Sequence, residues 1–111
     1  SGLASLAPAA DVYVVAVGEA AREAALVAAE ALRQRMPRLR ILQHTGGGSF
    51  KSQMKRADKS GARVALIWGD DEVEKGAVTV KALREADGTQ GSQQTVPASE
   101  LDTILRAILA R

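Results

Sequence analysis

A continuous run of apolar, mostly β-branched residues near the start of the chain limits the folds that are open to it. The run extends from Val12 to Val17 and ends at Gly18. An uninterrupted run of this length is typical of a strand buried on both faces, as in a parallel sheet. Leu39–Leu42 predicts a second, short strand, and Val64–Trp68 is a third run that predicts a buried strand. Together they predict an α/β fold with helices layered on the sheet.

The segments between these runs have helical patterns. Residues 19–36 are rich in Ala, Glu, Leu and Arg, their apolar residues follow helical spacing, and Pro37 stops the helix. Ser49 is a suitable N-cap for a second helix to about Ser60, with Gly61 at the C′ position. The side chains of this second helix that we expect to face inward are Phe50, Met54 and Ala57.

The rest of the chain predicts a strand that turns back on the sheet. Gly76 precedes the segment Ala77–Leu83, which alternates partly like a strand with one solvated face. Residues 87–92 read as a polar turn, residues 93–96 as a short edge strand and residues 97–110 as a last helix. The predicted order is β-α-β-α-β-β-β-α, and right-handed crossovers make the first three strands parallel.

Length and composition exclude several classes of protein. The chain has 111 residues, no cysteine and a single histidine. It is therefore one domain, without a disulfide framework, a thiolate nucleophile, a cysteine-based zinc site or a multi-histidine metal site. We expect residues 1–10 to be a linker or a tag remnant and residues 11–111 to be the domain. No signal peptide or long apolar span is apparent, so a cytoplasmic location without a membrane partner is expected.

Basic residues are concentrated in the middle of the sequence. Nine of the fifteen lysines and arginines lie between Arg33 and Arg63, where Asp58 is the only acidic residue. Such a block favours a polyanionic partner, through long-range attraction and the release of counterions. A solvated basic face that aids solubility remains the alternative on charge alone.

The segment His44–Ser49 contains three consecutive glycines and precedes a predicted helix. Glycines let a ligand approach the backbone, and a helix N-terminus offers N–H groups to an anion, although a flexible loop is the alternative. Gly18 and the segment Gly69–Glu72 also follow predicted parallel strands, and ligands of parallel α/β sheets bind at such ends. The sequence therefore predicts a binding site at this edge of the sheet.

No catalytic or metal site is predicted. His44 lacks a serine or cysteine nucleophile at a defined spacing, so a polar loop role or a contact to a base is expected. Four carboxylates follow the third strand and could bind a divalent ion, but they lack the spacing of a calcium loop. A solvated acidic turn is therefore expected at these residues, which are Asp70, Asp71, Glu72 and Glu74.

Two blocks of the sequence carry a family resemblance. They are His44–Gln53 with Arg56–Lys59 and Gly61-Ala62, and Gly69–Val73 with Gly76–Leu83. Both resemble the C-terminal anticodon-binding domain of bacterial histidyl-tRNA synthetases, a class IIa family. The similarity extends over nearly all of residues 11–110. The resemblance implies a three-layer α/β/α domain with three helices and a five-stranded mixed sheet. The implied strand order is 2-1-3-4-5, with strand 4 antiparallel.

The resemblance implies that the domain grips the anticodon stem-loop of histidine tRNA and reads its bases. Glu72 would accept hydrogen bonds from a guanine, while Gln53 and Lys81 would donate to base acceptors. Lys81 stands where family members often have arginine. The expected anticodon-binding residues are Gly46, Gly47, Gly48, Ser49, Phe50, Lys51, Gln53, Glu72 and Lys81. Those expected to hold backbone phosphates are Lys55 and Arg56, with Lys51 assisting.

The resemblance also implies what this domain lacks and what accompanies it. The class II catalytic motifs are absent from the sequence, so we expect no catalytic residue and no cofactor here, and ATP and Mg²⁺ would serve the parent enzyme. The expected partners are histidine tRNA, the catalytic domain of the parent chain and a second copy of the parent, without DNA. The alternatives are a synthetase-like interaction or regulatory module, and a small anion-binding α/β domain that uses Gly46–Gly48.

Overall fold

The computed structural model describes residues 10–43, 47–84 and 91–110. Strands and helices alternate along these residues and finish with a 3₁₀ turn and a helix. The strands are β1 (Val12–Ala16), β2 (Ile41–Gln43), β3 (Val64–Trp68), β4 (Ala77–Ala82) and β5 (Gln93–Pro97). The helices are α1 (Glu19–Arg35), α2 (Phe50–Ser60), α3 (Asp70–Lys75) and α4 (Leu101–Leu109), and the 3₁₀ turn is Ala98–Glu100.

The five strands form one mixed sheet in the order β2-β1-β3-β4-β5. Strand β1 is parallel to β2 and to β3, whereas β4 is antiparallel to both β3 and β5. Both the predicted strand order and the predicted antiparallel fourth strand are confirmed. Because only β4 is reversed, the strands β1, β2 and β3 all end at one edge of the sheet, which we call the carboxyl edge.

Side chains alternate between two buried faces of the sheet, which explains the uninterrupted apolar runs. Val12 and Val14 of β1 belong to the core beneath α1 and α4, together with Leu105. Tyr13 and Val15 belong to a second core on the other face, beneath α2. The three predicted layers are therefore present, with two long helices on one face and one on the other.

Helix α2 starts and ends as predicted, but its buried side differs. The hydroxyl of Ser49 accepts a hydrogen bond from the Ser52 N–H at 3.1 Å, and Gly61 adopts φ +79° after the last turn. The expectation that Phe50 faces inward is wrong, because Phe50 is 50% exposed. Gln53 is buried instead, at 3% exposure, and its amide occupies the contact between this end of the helix and β1.

The acidic segment after β3 forms a fourth helix where the sequence predicted three helices and a solvated turn. Helix α3 is short and has three carboxylates in its first turn, a charge that the positive end of a helix favours. The Glu72 side chain accepts a hydrogen bond from the Gly69 N–H at 2.8 Å and so caps the first turn. The prediction failed because six residues carry too few apolar positions to show a helical period.

Smaller differences concern strand limits and burial. Strand β2 begins at Ile41 and not at Leu39, because the Leu39 N–H bonds to the Met36 carbonyl in the turn after α1. Strand β4 is buried along most of its length, where the sequence suggested one solvated face. Within the described residues, no helix is long and apolar enough to cross a membrane. Residues 1–9 of the predicted linker and residues 87–90 of the predicted turn lie outside the described residues, whereas Ala10 is buried.

Candidate functional site

The carboxyl edge joins the two segments that the sequence singled out. Ala16, the last residue of β1, pairs with Trp68, the last residue of β3, and the Val17 N–H continues the pairing to the Trp68 carbonyl at 3.0 Å. The glycine-rich segment leads from β2 into α2, and Gly69 follows β3 directly. Predicted binding residues from both segments therefore lie around the same edge. His44 and Gly46 fall outside the described residues.

Gly47–Ser49 is held against the edge by hydrogen bonds from α2. The Gln53 amide donates to the Gly48 carbonyl at 2.9 Å, and an Arg56 guanidinium N–H donates to the Gly47 carbonyl at 3.4 Å. Gly48 has φ +108°, and a Cβ at this position would lie 2.8 Å from the Ser52 hydroxyl. Only glycine therefore fits here without strain.

Gln53 is a predicted base donor whose amide is already engaged within the fold. Its Nε2 donates to the carbonyls of Ala16 and Gly48, both at 2.9 Å, and its Oε1 accepts from the Ala16 N–H at 3.0 Å. The two amide protons are thus both bonded to backbone oxygens. This geometry suits a residue that positions the glycine loop rather than one that donates to a ligand.

The basic residues of α2 differ in whether their side chains bond to other parts of the domain. Lys51 and Lys55 are exposed, and neither ammonium group has a hydrogen-bond or ion-pair partner among the described residues. Arg56 is exposed as well but also bonds to the glycine loop. Phe50 stands half-exposed next to Lys51 at the start of the helix. Helix α2 therefore presents two exposed cations and an aromatic ring to a ligand.

A carboxylate held in a fixed orientation lies on the other side of the edge. Glu72 accepts from the Gly69 N–H through Oε1 and from the Thr79 hydroxyl through Oε2, both at 2.8 Å. Thr79 is 3% exposed, and its Oγ1 also lies 2.8 Å from Oγ1 of Thr95 on β5. Each Glu72 oxygen keeps a second lone pair, and the residue is partly exposed. Glu72 can therefore accept further hydrogen bonds from a ligand.

Lys81 shares a sheet face with Thr79, since residues two apart on a strand point the same way. It pairs with Ala65 of β3 and with Gln93 of β5, and it is partly exposed. Its ammonium has no hydrogen-bond or ion-pair partner in the described part of the chain. Lys81 pairs with the second residue of β3, so it lies toward the start of that strand and away from the carboxyl edge, whereas Glu72 caps Gly69 at that edge. The fold thus places the oriented acceptor, Glu72, at the carboxyl edge and Lys81 farther along the same face of β4 as Thr79.

The structure also bears on three smaller points of the sequence interpretation. The acidic residues after β3 do not assemble a metal site, and no group of three or more metal-ligating side chains is found among the described residues. Trp68, expected in the core, is 3% exposed. Thr79 and Thr95 are not among the predicted site residues. The sequence signal for them is a threonine on each of two strands that were predicted to be neighbours.

The basic block does not form one surface. Lys51 and Lys55 lie on α2, whereas a depression at the other edge of the sheet, of about 480 Å³, is lined by a second group. The long helices start at the carboxyl edge and run away from it, so their last turns lie at this opposite edge. The negative end of the helix dipole favours arginine in such last turns. The arginines that line the depression are Arg35, Arg38, Arg63 and Arg106, with Asp11 among them.

Comparison with known proteins agrees with this architecture. Residues 11–108 match the model of the family described as "Anticodon binding domain". The chain is 53% identical over 97 residues to a histidine–tRNA ligase of Halorhodospira halophila, covering 87% of this chain and 22% of that protein. It is 43% identical over 99 residues to the corresponding ligase of Hydrogenovibrio crunogenus, covering 89% of this chain and 22% of that protein.

Solved structures show the same similarity. A crystal structure of histidyl-tRNA synthetase from Nostoc sp. PCC 7120 matches with a TM-score of 0.77 and 25% identity, covering 92% of this chain and 23% of that one. The chain therefore spans less than a quarter of the length of the relatives and of this structure.

Proposed function

The chain belongs to the anticodon-binding domain family, and from this premise we propose that it recognises the anticodon of histidine tRNA. In this proposal it serves as the C-terminal domain of a histidine–tRNA ligase. The observation that carries the proposal is the carboxyl edge itself. There Glu72, held by two hydrogen bonds of 2.8 Å, follows β3, and the glycine loop leads into the exposed cations of α2. Sequence-specific RNA recognition uses such groups on the edges of unstacked bases.

We assign different tasks to the predicted site residues. Glu72, at the carboxyl edge, accepts from the N–H groups of a guanine, and Lys81, farther along β4, donates to a base acceptor. Phe50, half-exposed, stacks on a base, and Lys51 and Lys55 neutralise phosphates without reading sequence. Gln53 and Arg56 position the glycine loop through hydrogen bonds to its carbonyls and do not contact RNA bases. Arg56 also contacts a backbone phosphate.

The remaining parts of the proposal concern the parent protein. Aminoacylation, with ATP and Mg²⁺, belongs in this account to a catalytic domain elsewhere in the parent chain, and this domain supplies no catalytic group. The parent is proposed to be a cytoplasmic homodimer, as expected from the resemblance. The comparisons lend no support to the alternatives of an interaction module or a small anion-binding domain.

The proposal is tested by titrating the chain with an RNA hairpin that carries the histidine anticodon stem-loop. A hairpin with the same stem and scrambled anticodon bases is the control, and both are measured at low and moderate salt. We expect tighter binding to the native loop at both salt concentrations. Equal affinity for the two hairpins would reduce the domain to an electrostatic clamp and refute base reading.

A further inference from the structure

Three oxygen-bearing side chains form a continuous hydrogen-bonded line from the edge strand to the carboxyl edge. Thr95 on β5 lies opposite Thr79 on β4 in the register, and their hydroxyl oxygens are 2.8 Å apart. The hydroxyl oxygen of Thr79 in turn lies 2.8 Å from Oε2 of Glu72. Thr79 is 3% exposed, whereas Thr95 is exposed. The line therefore links a solvent-facing hydroxyl to the proposed base-reading carboxylate through a buried one.

The chemistry of the three groups fixes the direction of the hydrogen bonds. A carboxylate only accepts hydrogen bonds, so Thr79 donates its hydroxyl proton to Glu72. A hydroxyl has a single proton, so in the contact between the two threonines Thr95 is the donor. The oxygen of Thr95 then has its proton engaged and presents only lone pairs to the solvent.

We propose that Thr79 is a positioning residue that orients Glu72 toward the RNA, and that Thr95 is a second acceptor for the base that Glu72 reads. This inference rests on the proposed anticodon recognition and extends its site from α3 across to β5. The oxygens of Glu72 and Thr95 each lie 2.8 Å from the Thr79 hydroxyl oxygen, and two acceptors on either side of one hydroxyl select a base edge with N–H donors. The imino and 2-amino groups of guanine provide such an edge.

The burial of Thr79 is consistent with this role. A buried hydroxyl needs a partner, and both of its neighbours here are themselves polar groups of the site. Without the Thr79 hydroxyl, Oε2 of Glu72 would lose the one hydrogen bond that it makes within the described residues, and the side chain could rotate. The two acceptors would then be misaligned, and the domain would discriminate less well between bases.

The test measures discrimination at a single base. Histidine codons begin with cytosine, so the anticodon that pairs with them ends in guanine. Replacing this guanine by inosine removes only the 2-amino group. The wild-type chain is expected to prefer the guanine hairpin about five- to tenfold. Thr79→Val keeps the shape and removes the hydroxyl, and we expect the preference to fall below about twofold. Thr79→Ser, which keeps the hydroxyl, should restore it.

Additional variants separate this inference from the proposed function. Thr95→Val should lower the guanine preference at an exposed position where folding is not at risk, and Thr103→Val, on the exposed side of α4, should leave it unchanged. If Glu72→Gln loses the guanine preference while Thr79→Val and Thr95→Val keep it in full, the proposed roles of Thr79 and Thr95 are overturned and anticodon recognition stays intact. Equal affinity of the wild-type chain for the guanine and inosine hairpins would overturn guanine reading by Glu72, and with it the roles of both threonines.

Discussion

The side-chain amide of Gln53 bonds to both backbone polar groups of Ala16, as a neighbouring strand would. Its Oε1 accepts from the Ala16 N–H at 3.0 Å, and its Nε2 donates to the Ala16 carbonyl at 2.9 Å and to the Gly48 carbonyl at 2.9 Å. One buried residue of α2 therefore joins the end of β1 to the glycine loop. The position of the loop relative to the sheet depends on this residue.

Replacing Gln53 by leucine should destabilise the chain. The substitution keeps the approximate volume but leaves the Ala16 N–H and the carbonyls of Ala16 and Gly48 without their side-chain partner. Each such group costs about 1–3 kcal/mol, so we expect the free energy of unfolding to fall by at least about 2 kcal/mol in urea titrations. Gln34→Leu, on the exposed face of α1, should change it by less than about 0.5 kcal/mol. Similar losses in both variants would contradict the structural role of Gln53.

Alanine at Gly48 should be more harmful than alanine at Gly47. Both glycines have positive φ, but only at Gly48 would a Cβ meet another group, 2.8 Å from the Ser52 hydroxyl. Thermal unfolding is expected to show a loss of about 1–2 kcal/mol for Gly47→Ala and a larger one for Gly48→Ala. Adding Ser52→Ala should recover part of the difference. Equal melting temperatures for the two single variants would show that the contact with Ser52 does not matter.

The sequence predicted most of this fold because its main signals are local. Apolar runs without polar interruption identify strands buried on both faces, and Ser49 and Gly61 mark the limits of α2 by their own chemistry. Helix α3 escaped prediction because its stability depends on the Glu72 cap and on helix-end charges, which apolar periodicity does not register.

The candidate site was less predictable, because burial and hydrogen bonding are set by tertiary contacts. Gln53 and Phe50 are three residues apart on one helix, yet the polar side chain is buried and the aromatic one is half-exposed. Nothing in their spacing distinguishes these outcomes, which depend on Ala16 offering two backbone groups to an amide. The line from Thr95 to Glu72 likewise exists only because the register of β4 and β5 places two threonines opposite each other.

Removing the free cations of α2 should weaken all hairpins alike. Lys51→Ala and Lys55→Ala are each expected to lower affinity for native and scrambled loops by the same factor, since phosphate contacts carry no sequence information. The slope of log Kd against log salt concentration should fall by about 1 per lysine. Arg33→Ala, in the last turn of α1 at the opposite edge, is the control and should leave the slope unchanged. A change in base preference in either lysine variant would contradict this division of tasks.

The ion pair between α1 and α4 should contribute little to stability. A guanidinium nitrogen of Arg35 lies 3.2 Å from Oδ1 of Asp102, but the two side chains are 59% and 26% exposed. Exposed pairs contribute about 0.2–1 kcal/mol and are screened by salt. A double-mutant cycle of Arg35→Ala and Asp102→Ala in urea is therefore expected to give a coupling energy below about 1 kcal/mol that shrinks at high salt. A coupling above about 2 kcal/mol, unaffected by salt, would show that the pair is better shielded than its exposure indicates.

The location of the RNA interface is the central claim, and a map of backbone amide shifts upon binding tests it most directly. The isotopically labelled chain is titrated with the native anticodon hairpin, and the amide resonances are followed by NMR. We predict the largest shifts along the carboxyl edge, at Gly48, Lys51 and Glu72. Shifts confined to the opposite edge, around Arg38 and Arg106, would contradict the account, because the RNA would then bind where no base-reading group has been identified.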